Sequence, residues 1–472
     1  MGQLMSRLCI CLLLLLLGWL PVGSVLAADR DEALRLQINR LAGQASAVEL
    51  GRIWQALQRL SAEQLSAQVR DQNNNYFEQG WFELASDYRL ALPPQRSAQL
   101  AHWQQRWFHH PAMALISRLQ QVSTAMPVPE RVAHLGVLLP LSGAFAEQGQ
   151  QVLAGLRAAL DWDRRQGYAV PELQVFDAAD IQTTQPFLQQ LARDHQLDML
   201  VGPMQRRLSL QLDSPQPFPV LALNRVGGGR FNGYQLDLAS DQELRQLVAR
   251  MQQAGQRRIL LLAPAEEVWV EPLLAWVEQL TAEQGIVIAG RVRYQGTPEQ
   301  LNQQVQRVLG VQASKRRAVQ LGMLLGEEPV HEPRRRQDVD AVLLIARPGA
   351  ARLLKPILNF HQASALPVYA SSHLFSGDID PHRDRDLEGI LFCDMPWRLR
   401  QRLQPDSSSG FFALGMDAAS IYRALPQMQS AVSGYFEGET GNLRLDVGGR
   451  LQRTLPCARF RQGVPVLVEA VE

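Results

Sequence analysis

Residues 132–160 constrain the fold of this chain more than any other segment. Their sequence, VAHLGVLLPLSGAFAEQGQQVLAGLRAAL, starts with an apolar run over 132–139 that is typical of a buried strand. The run ends at Pro140, a short turn with Ser142 and Gly143 follows, and apolar residues then recur at helical spacing. A strand, a turn and a helix in this order predict the first unit of an α/β fold. Ligands of such folds lie at the carboxyl ends of parallel strands, so this turn is also a first candidate binding site.

Strand-like and helix-like segments alternate from residue 131 to the end of the chain. Strands are predicted over residues 132–139, 173–176, 199–201, 220–223, 259–263, 286–292, 341–346, 368–370 and 390–393. Repeated alternation of this kind implies an α/β fold, with parallel sheets that carry helices on both faces. About 340 residues exceed one hydrophobic core, so we expect two lobes.

The predicted lobes each combine two stretches of sequence. The first lobe is assigned to residues 131–237 and 389–432, and the second to residues 238–388 and 433–472. An antiparallel hairpin is expected to close the chain, with strands over 442–447 and 451–460 around Gly448 and Gly449.

Residues 29–125 differ in composition from the remainder of the chain, being rich in Gln, Ala, Leu and Arg with apolar residues at helical spacing. The pattern predicts a small all-α domain of four to six short helices, arranged as hairpins resembling tetratricopeptide repeats. Ser61 and Gln64 have the spacing of a capping box, which predicts a helix start. The Trp and Phe residues are expected to form its core, and residues 126–130 a linker.

The first 28 residues are typical of a secretory signal peptide. Arg7 precedes an apolar run over 8–20, and small residues ending at Ala27 and Ala28 suit cleavage. The alternative is an uncleaved membrane anchor, for which the apolar run is short.

Two cysteines lie in the leader and two remain in the mature chain. Cys9 and Cys11 are expected to leave with the leader. Cys393 and Cys457 lie in strand-like runs, and we expect two buried thiols there. Export also permits a disulfide between them, and this alternative stays open.

Charge and motif searches exclude several classes of function. The chain has 47 Lys and Arg against 46 Asp and Glu, so its net charge gives no indication of nucleic-acid binding. It has no nucleophile elbow, no phosphate-binding loop and no zinc-protease motif. We therefore predict no enzyme activity, no cofactor and no metal site, and a monomer.

Four further features are interpreted structurally. His109 and His110 are expected to form a surface pair, and residues 227–229 a glycine loop. Asp161 and Asp163 are two positions apart on a helix, so they face different sides and form no catalytic pair. The sequence HEPRRRQ at 331–337 predicts an exposed loop, with a patch for an acidic partner as the alternative.

Small polar residues follow several predicted strands or begin helices, and they are the candidate ligand-binding residues. Backbone N–H groups and hydroxyls at such positions hold polar or anionic ligands. The same residue types also cap helices in any α/β fold, which is the alternative interpretation. Ser240 in particular has the position of a helix N-cap. The candidates are Ser142, Gly143, Asn224, Ser240, Ser371 and Ser372.

A series of short motifs in a fixed order resembles a known family. The motifs are LLPLSG at 138–143, GQ at 149–150, VGP at 201–203, LALN at 221–224, ARP at 346–348, LPVYASS at 366–372, DLEGI at 386–390, DMPW at 394–397, FALGMDA at 412–418 and G-x-TG at 438–441. The opening resembles the type I periplasmic-binding-protein fold. The whole series, over about residues 131–465, is similar to the LppC family of LpoA-type penicillin-binding-protein activators.

The resemblance implies a two-lobed periplasmic-binding-protein-like domain behind a helical N-terminal domain. It also implies a non-enzymatic outer-membrane lipoprotein facing the periplasm, which contacts a class A penicillin-binding protein and stimulates its transpeptidase.

The sequence departs from this pattern because no lipobox cysteine comes after the apolar run, so a lipid anchor is not predicted by the residues themselves. The helical domain is also short, which reduces its reach. The rival hypothesis is a periplasmic solute-binding protein for an amino acid or similar molecule.

Overall fold

The computed structural model describes most of the chain outside the leader. The described residues are 32, 34–40, 47–58, 60–90, 96–120, 126, 128–129, 131–226, 231–327, 330–400, 409–430, 435–446 and 448–468. The predicted signal peptide with Cys9 and Cys11, the glycine loop at 227–229, and parts of the predicted linker and closing hairpin lie outside them. The chain divides into two compact units, one of residues up to Thr124 with 430–433, the other of Ala125–Gln429 with Gly434–Glu472.

Helices and strands are numbered in chain order. The helices of eight or more residues are α1 (Ala47–Gln58), α2 (Ala62–Arg70), α3 (Tyr76–Leu90), α4 (Arg96–Arg106), α5 (Met113–Gln120), α6 (Ala146–Arg165), α7 (Thr184–Asp194), α8 (Asp241–Gln253), α9 (Val270–Glu283), α10 (Pro298–Val308), α11 (Val311–Leu325), α12 (Pro348–Leu358) and α13 (Gly410–Ser430). Two single-turn α-helices, Arg206–Ser209 and Pro396–Leu399, are left unnumbered. The strands are β1 (His134–Leu139), β2 (Glu172–Asp177), β3 (Met199–Val201), β4 (Val220–Ala222), β5 (Tyr234–Gln235), β6 (Arg258–Pro264), β7 (Val287–Tyr294), β8 (Ala341–Leu344), β9 (Val368–Ala370), β10 (Leu391–Cys393), β11 (Tyr435–Glu437), β12 (Asn442–Leu445), β13 (Leu451–Thr454), β14 (Cys457–Arg461) and β15 (Val464–Val468).

The N-terminal unit is helical, with residues 34–40 helical in addition to α1–α5. Its core contains Trp81, Phe82 and Trp103, as predicted, but the prediction is wrong for Phe108, which is 64% exposed. The capping box is also confirmed, because Gln64 N donates to Ser61 Oγ over 3.1 Å and Ser61 N donates to Gln64 Oε1 over 2.7 Å.

The prediction that His109 and His110 both lie on the surface is wrong for His110. His110 is buried among aromatic rings, and its Nε2 lies 2.9 Å from the Phe77 carbonyl. Burial lowers the pKa of His110 to about 4, so the ring is neutral at physiological pH. The rings around it come from Tyr76, Phe77, Trp81, Trp103 and Trp107. Neighbours from α3 and α4, which a local pattern does not reveal, hold this side chain inside.

The first lobe of the second unit is built on a parallel sheet in the order β2-β1-β3-β4-β5. β1 lies inside this sheet, with residues 135–139 fully buried as its apolar run predicts. Helix α6 follows through the predicted turn and packs Val152 and Leu156 into the same core. Asp161 and Asp163 face different sides, since Asp161 is exposed and Asp163 is buried against Arg423.

The second lobe is built on a mixed sheet in the order β15-β14-β10-β9-β8-β6-β7. The set of strands in this sheet shows that the predicted boundary between the lobes is wrong. The predicted boundary assigns β10 to the first lobe, but this strand pairs in parallel with β9 and antiparallel with β14. The chain therefore returns to the first lobe only after β10.

The predicted closing hairpin is also corrected. β11, β12 and β13 form a separate antiparallel sheet, and Leu443 and Leu451 pack in the core of the first lobe. The predicted strand over 451–460 is two strands, β13 and β14, which belong to different sheets. The chain crosses between the lobes after β5, after β10 and between β13 and β14.

Cys393 and Cys457 form a disulfide, so the expectation of two buried thiols is wrong. They are register partners on β10 and β14, which places the two side chains opposite each other. Sequence spacing could not show this pairing, because 64 residues separate the two cysteines.

Two glycines allow α6 and α13 to approach closely. A Cβ at Gly155 would lie 1.9 Å from the Phe412 carbonyl oxygen, and one at Gly415 would lie 2.0 Å from the Val152 oxygen. The two backbones therefore touch, and this contact fixes α13 on the core of the first lobe.

Among the described residues, the helices are too short or too polar to span a bilayer.

Candidate functional site

The three crossovers between the lobes border a small cavity of about 180 Å³. Its wall combines residues after β5, the first turns of α8 and α13, the ends of β9 and β10, and the segment that links β13 to β14. Two of the predicted ligand-binding residues, Ser240 and Ser372, line it. We call this space the hinge cavity.

A buried carboxylate in the hinge cavity takes up the polar groups of the Ser372 turn. Glu243 accepts a hydrogen bond from Ser372 N over 2.5 Å and one from Ser372 Oγ over 2.8 Å. The side chain comes from the first turn of α8, where the helix dipole favours a negative charge. Burial nevertheless raises the pKa of Glu243 to about 7, against the lowering effect of the two Ser372 bonds.

The other charged groups of the hinge cavity come from distant parts of the chain. Asp394 follows β10 and lies 3.6 Å from Arg398, and burial raises its pKa to about 6. Arg453 is buried, donates to the Ala239 carbonyl over 2.8 Å, and has its pKa lowered by burial. Two carboxyl groups and two guanidinium groups therefore share a space of low dielectric.

His373 closes one side of the hinge cavity. Its ring stacks on Trp269 with centroids 4.4 Å apart, and Arg347 lies over the same indole at 5.4 Å. Burial, and then the nearby guanidinium of Arg398, lower the pKa of His373 to about 4. A neutral imidazole thus faces the charged groups at physiological pH.

The first predicted turn is elsewhere and has a similar internal partner. Asp177 at the end of β2 accepts from Ser142 Oγ over 2.6 Å and from Leu141 N over 2.9 Å. The Ser142 hydrogen bond is the main cause that lowers the pKa of Asp177. Gly143 adopts a φ of +75°, and its exposed Cβ position meets nothing within 4 Å.

Asn224 is also used inside the protein. Its Nδ2 donates to the Met204 carbonyl over 2.9 Å, and its Oδ1 accepts from Arg225 N over 2.6 Å. Arg225 in turn pairs with Asp241 over 2.7 Å. These contacts hold the turn after β4 against the start of α8.

The structure brings together two of the six predicted site residues. Ser240 and Ser372 line the hinge cavity, whereas Ser142, Gly143 and Asn224 do not. Ser371 is fully buried beside it, and its N donates to the Leu344 carbonyl. Ser240 occupies the predicted N-cap position of α8, but its side chain makes no capping bond. A ligand-binding role for the six residues stays a prediction.

Sequence reasoning missed the charged residues of the hinge cavity, namely Glu243, Asp394, Arg398 and Arg453. Asp394 opens the DMPW motif, which is the one signal that could have drawn attention to it. Groups of three or more His, Cys, Asp or Glu suited to a metal ion do not occur in the described part of the chain.

Comparison with known proteins identifies the family. The family model described as "LppC putative lipoprotein" matches residues 23–463. The chain belongs to the LppC family. A relative from Vibrio vulnificus, named penicillin-binding protein activator LpoA, is 30% identical over 402 residues. The alignment covers 78% of this chain and 64% of that protein, so this LppC chain spans less than two thirds of that relative's length.

Solved structures confirm the α/β fold of this LppC protein. Full-length LpoA from Haemophilus influenzae matches with a TM-score of 0.61 at 20% identity, over 93% of this chain and 78% of that one. The LpoA C-domain from the same organism, named a regulator of PBP1A, matches with 0.52 at 20% identity, over 71% and 100%. A "putative branched-chain amino acid ABC transporter" from Chromobacterium violaceum matches with 0.50 at 23%, over 70% and 100%. At these identities the likeness establishes the fold, which is the predicted periplasmic-binding-protein-like one.

A glutamine at position 243 tests the buried charge of the hinge cavity. The raised pKa means that folded protein binds more protons than unfolded chain between about pH 4.5 and 7. Below that window the wild type therefore has its full free energy of unfolding relative to Glu243→Gln. It loses this relative stability as pH rises through about 7. The variant should gain on the order of 3 kcal/mol relative to wild type across this range. Melting temperatures of both proteins from pH 4.5 to 8 check this.

The comparison between variants removes the contribution of His373, whose lowered pKa changes stability in the opposite direction. Glu147→Gln, which removes an exposed carboxylate of α6, is the matched control and is measured over the same pH range. A difference between Glu243→Gln and wild type that stays constant from pH 4.5 to 8 would contradict the raised pKa.

Proposed function

We propose that this chain is a non-enzymatic activator of a class A penicillin-binding protein, acting in the periplasm by protein–protein contact. The observation that carries the proposal is its membership of the LppC family over residues 23–463. The name of the Vibrio vulnificus relative, a penicillin-binding protein activator, supplies the activity. The name of the Haemophilus influenzae C-domain structure, a regulator of PBP1A, supplies the class of partner.

The geometry of the predicted binding turns supports a regulator over a solute-binding protein. An anionic ligand at these turns would need free N–H and hydroxyl donors. Ser142 Oγ instead donates to Asp177, and Ser372 N and Oγ donate to Glu243. The protein's own carboxylates therefore occupy these donors, and Asn224 is likewise engaged by Met204 and Arg225.

The proposed location of the protein in the cell rests on the proposed function and on the predicted signal peptide. Removal of residues 1–28 would leave an exported chain that begins at Asp29. Association with the outer membrane is proposed through the family alone, since the sequence offers no cysteine directly after the apolar run.

A reconstituted reaction tests the proposed function. The chain from Asp29 onward would be added to the class A synthase of the same cell with its lipid-linked substrate, and the cross-linked fraction of the product measured. We expect direct binding and a several-fold rise in cross-linking, with no release of fragments when the chain alone is incubated with peptidoglycan. Absence of both binding and stimulation would refute the proposal.

The same preparation distinguishes the solute-binding hypothesis. A free amino acid at 100 times its Kd stabilises a binding protein by about 2.7 kcal/mol, which a melting curve detects. The proposal predicts no such shift with a panel of amino acids. A shift that disappears in Ser142→Ala or Asn224→Ala would favour the rival.

A further inference from the structure

Helix α11 of the second lobe presents an apolar surface to solvent. Met323 is 79% exposed and Leu324 is 82% exposed. Val319, Leu321 and Leu325 are each more than half exposed as well. The helix is anchored at its other end, where Val311 and Ser314 are buried. A helix that is apolar around its circumference is normally buried, so the last two turns of α11 lack the cover that their composition requires.

This surface is concave. A groove of about 680 Å³ runs along α11 beside His331 and Pro333. Ala318, Val319, Met323 and Pro333 form its apolar wall, while Lys315, His331 and Glu327 are the polar residues that line it. The volume lies in the range of concave ligand sites in proteins, about 300–1,000 Å³, so it is large enough for apolar side chains of a partner. A concave groove suits an inserted protein segment better than the plane of a membrane.

The rim of the groove has an excess of positive charge. Lys315, Arg316 and Arg317 are exposed on the first half of α11, and Arg334 is exposed on the segment beside it. Within the described residues these four side chains make no ion pair, whereas the neighbouring Arg336 pairs with Asp338 over 2.6 Å. Among the described residues, the exposed acidic side chains nearby are Glu327 and Glu332, and Glu328 follows in the sequence outside that part. Within the described segment, four cations without an ion pair outnumber two carboxylates, which favours an acidic partner.

We infer that the α11 groove is the docking site for the synthase, and that it takes a segment with apolar anchor residues flanked by acidic ones. The inference rests on the proposed function and names the surface through which it acts. The apolar wall supplies affinity through buried area, and the basic rim speeds association and sets orientation.

A paired substitution tests the apolar wall. Val319→Ser with Met323→Ser should weaken binding to the purified synthase at least tenfold and remove most of the stimulation of cross-linking. Both side chains are exposed, so the circular dichroism spectrum and Tm should stay unchanged. Val268→Ser with Leu210→Ser is the matched control, because Val268 is 89% exposed and Leu210 49% exposed at other places of the same unit. This control should bind like wild type.

A second paired substitution tests the basic rim. Lys315→Glu with Arg316→Glu should slow association about tenfold at low salt, with little change at high salt where charges are screened. Binding kinetics at about 50 mM and about 500 mM NaCl would show this difference. An equal effect at both salt concentrations would overturn the assignment of an acidic partner.

The outcomes separate the two proposals. If wild type neither binds nor stimulates the synthase, the proposed function fails and this inference fails with it. If wild type binds and the Val319 and Met323 variant binds equally well, only the docking site is refuted. Binding of wild type, but not of that variant, to phosphatidylglycerol vesicles would assign the surface to lipid. A dimer in light scattering that the variant dissociates would assign it to a second copy, and either result overturns the inference.

Discussion

Replacement of both Cys393 and Cys457 by alanine is expected to lower the free energy of unfolding by about 4 kcal/mol. The disulfide closes a loop across a sequence separation of 64 residues, and a constraint of that size removes this much entropy from the unfolded chain. Both cysteines are buried, so the double alanine variant leaves only small voids. Urea unfolding of the chain from Asp29 onward, with and without the substitutions, measures the difference.

Thiol counting provides the control for this experiment. Without reductant, the denatured wild-type chain should contain no reactive thiol, and after reduction it should contain two, from Cys393 and Cys457. A wild-type protein with two free thiols, or a double variant of equal stability, would contradict the predicted role of the bond.

Substitution of Gly155 by alanine is expected to destabilise the second unit by about 3 kcal/mol. The new Cβ would lie 1.9 Å from the Phe412 carbonyl oxygen, which is backbone and cannot rotate away. Helices α6 and α13 would have to separate, and their shared core of Val152, Leu156 and Leu414 would loosen. The helix-propensity gain of alanine over glycine, about 1 kcal/mol, offsets only part of this cost. Thermal unfolding followed by circular dichroism measures the effect.

Gly349→Ala is the matched control for that substitution. Gly349 lies in the first turn of α12, and a Cβ there meets nothing within 4 Å. Its stability should be unchanged or slightly increased. If Gly155→Ala is as stable as Gly349→Ala, the close contact between α6 and α13 does not exist in solution.

The apolar runs predicted most of the parallel strands in the two large sheets, because burial on both faces leaves a continuous apolar sequence. β1 is the clearest case, since its residues 135–139 are fully buried. The strands that were missed, β5, β11 and β15, have two to five residues, and β11 and β15 are partly exposed. Each of them pairs with its neighbour in the chain, β4, β12 or β14, and strands this short or this exposed give a periodicity search little to detect.

The hinge cavity shows what a local pattern can and cannot reveal. Ser240 and Ser372 were predicted because small polar residues beside helices and strands are visible in the sequence. Glu243 was not, because a glutamate in a first helical turn is common and its burial depends on a turn 129 residues away. The disulfide and the buried His110 escaped prediction for the same reason, since each depends on contacts between segments that are distant in sequence.

The disulfide between Cys393 and Cys457 also closes a covalent ring, which consists of the segment that returns to the first lobe between these two cysteines. This ring contains α13 and the sheet of β11, β12 and β13. One proteolytic cut anywhere between the two cysteines would therefore open the ring without releasing a fragment. The cut protein would migrate as a single species in a denaturing gel without reductant, and as two pieces once the bond is reduced.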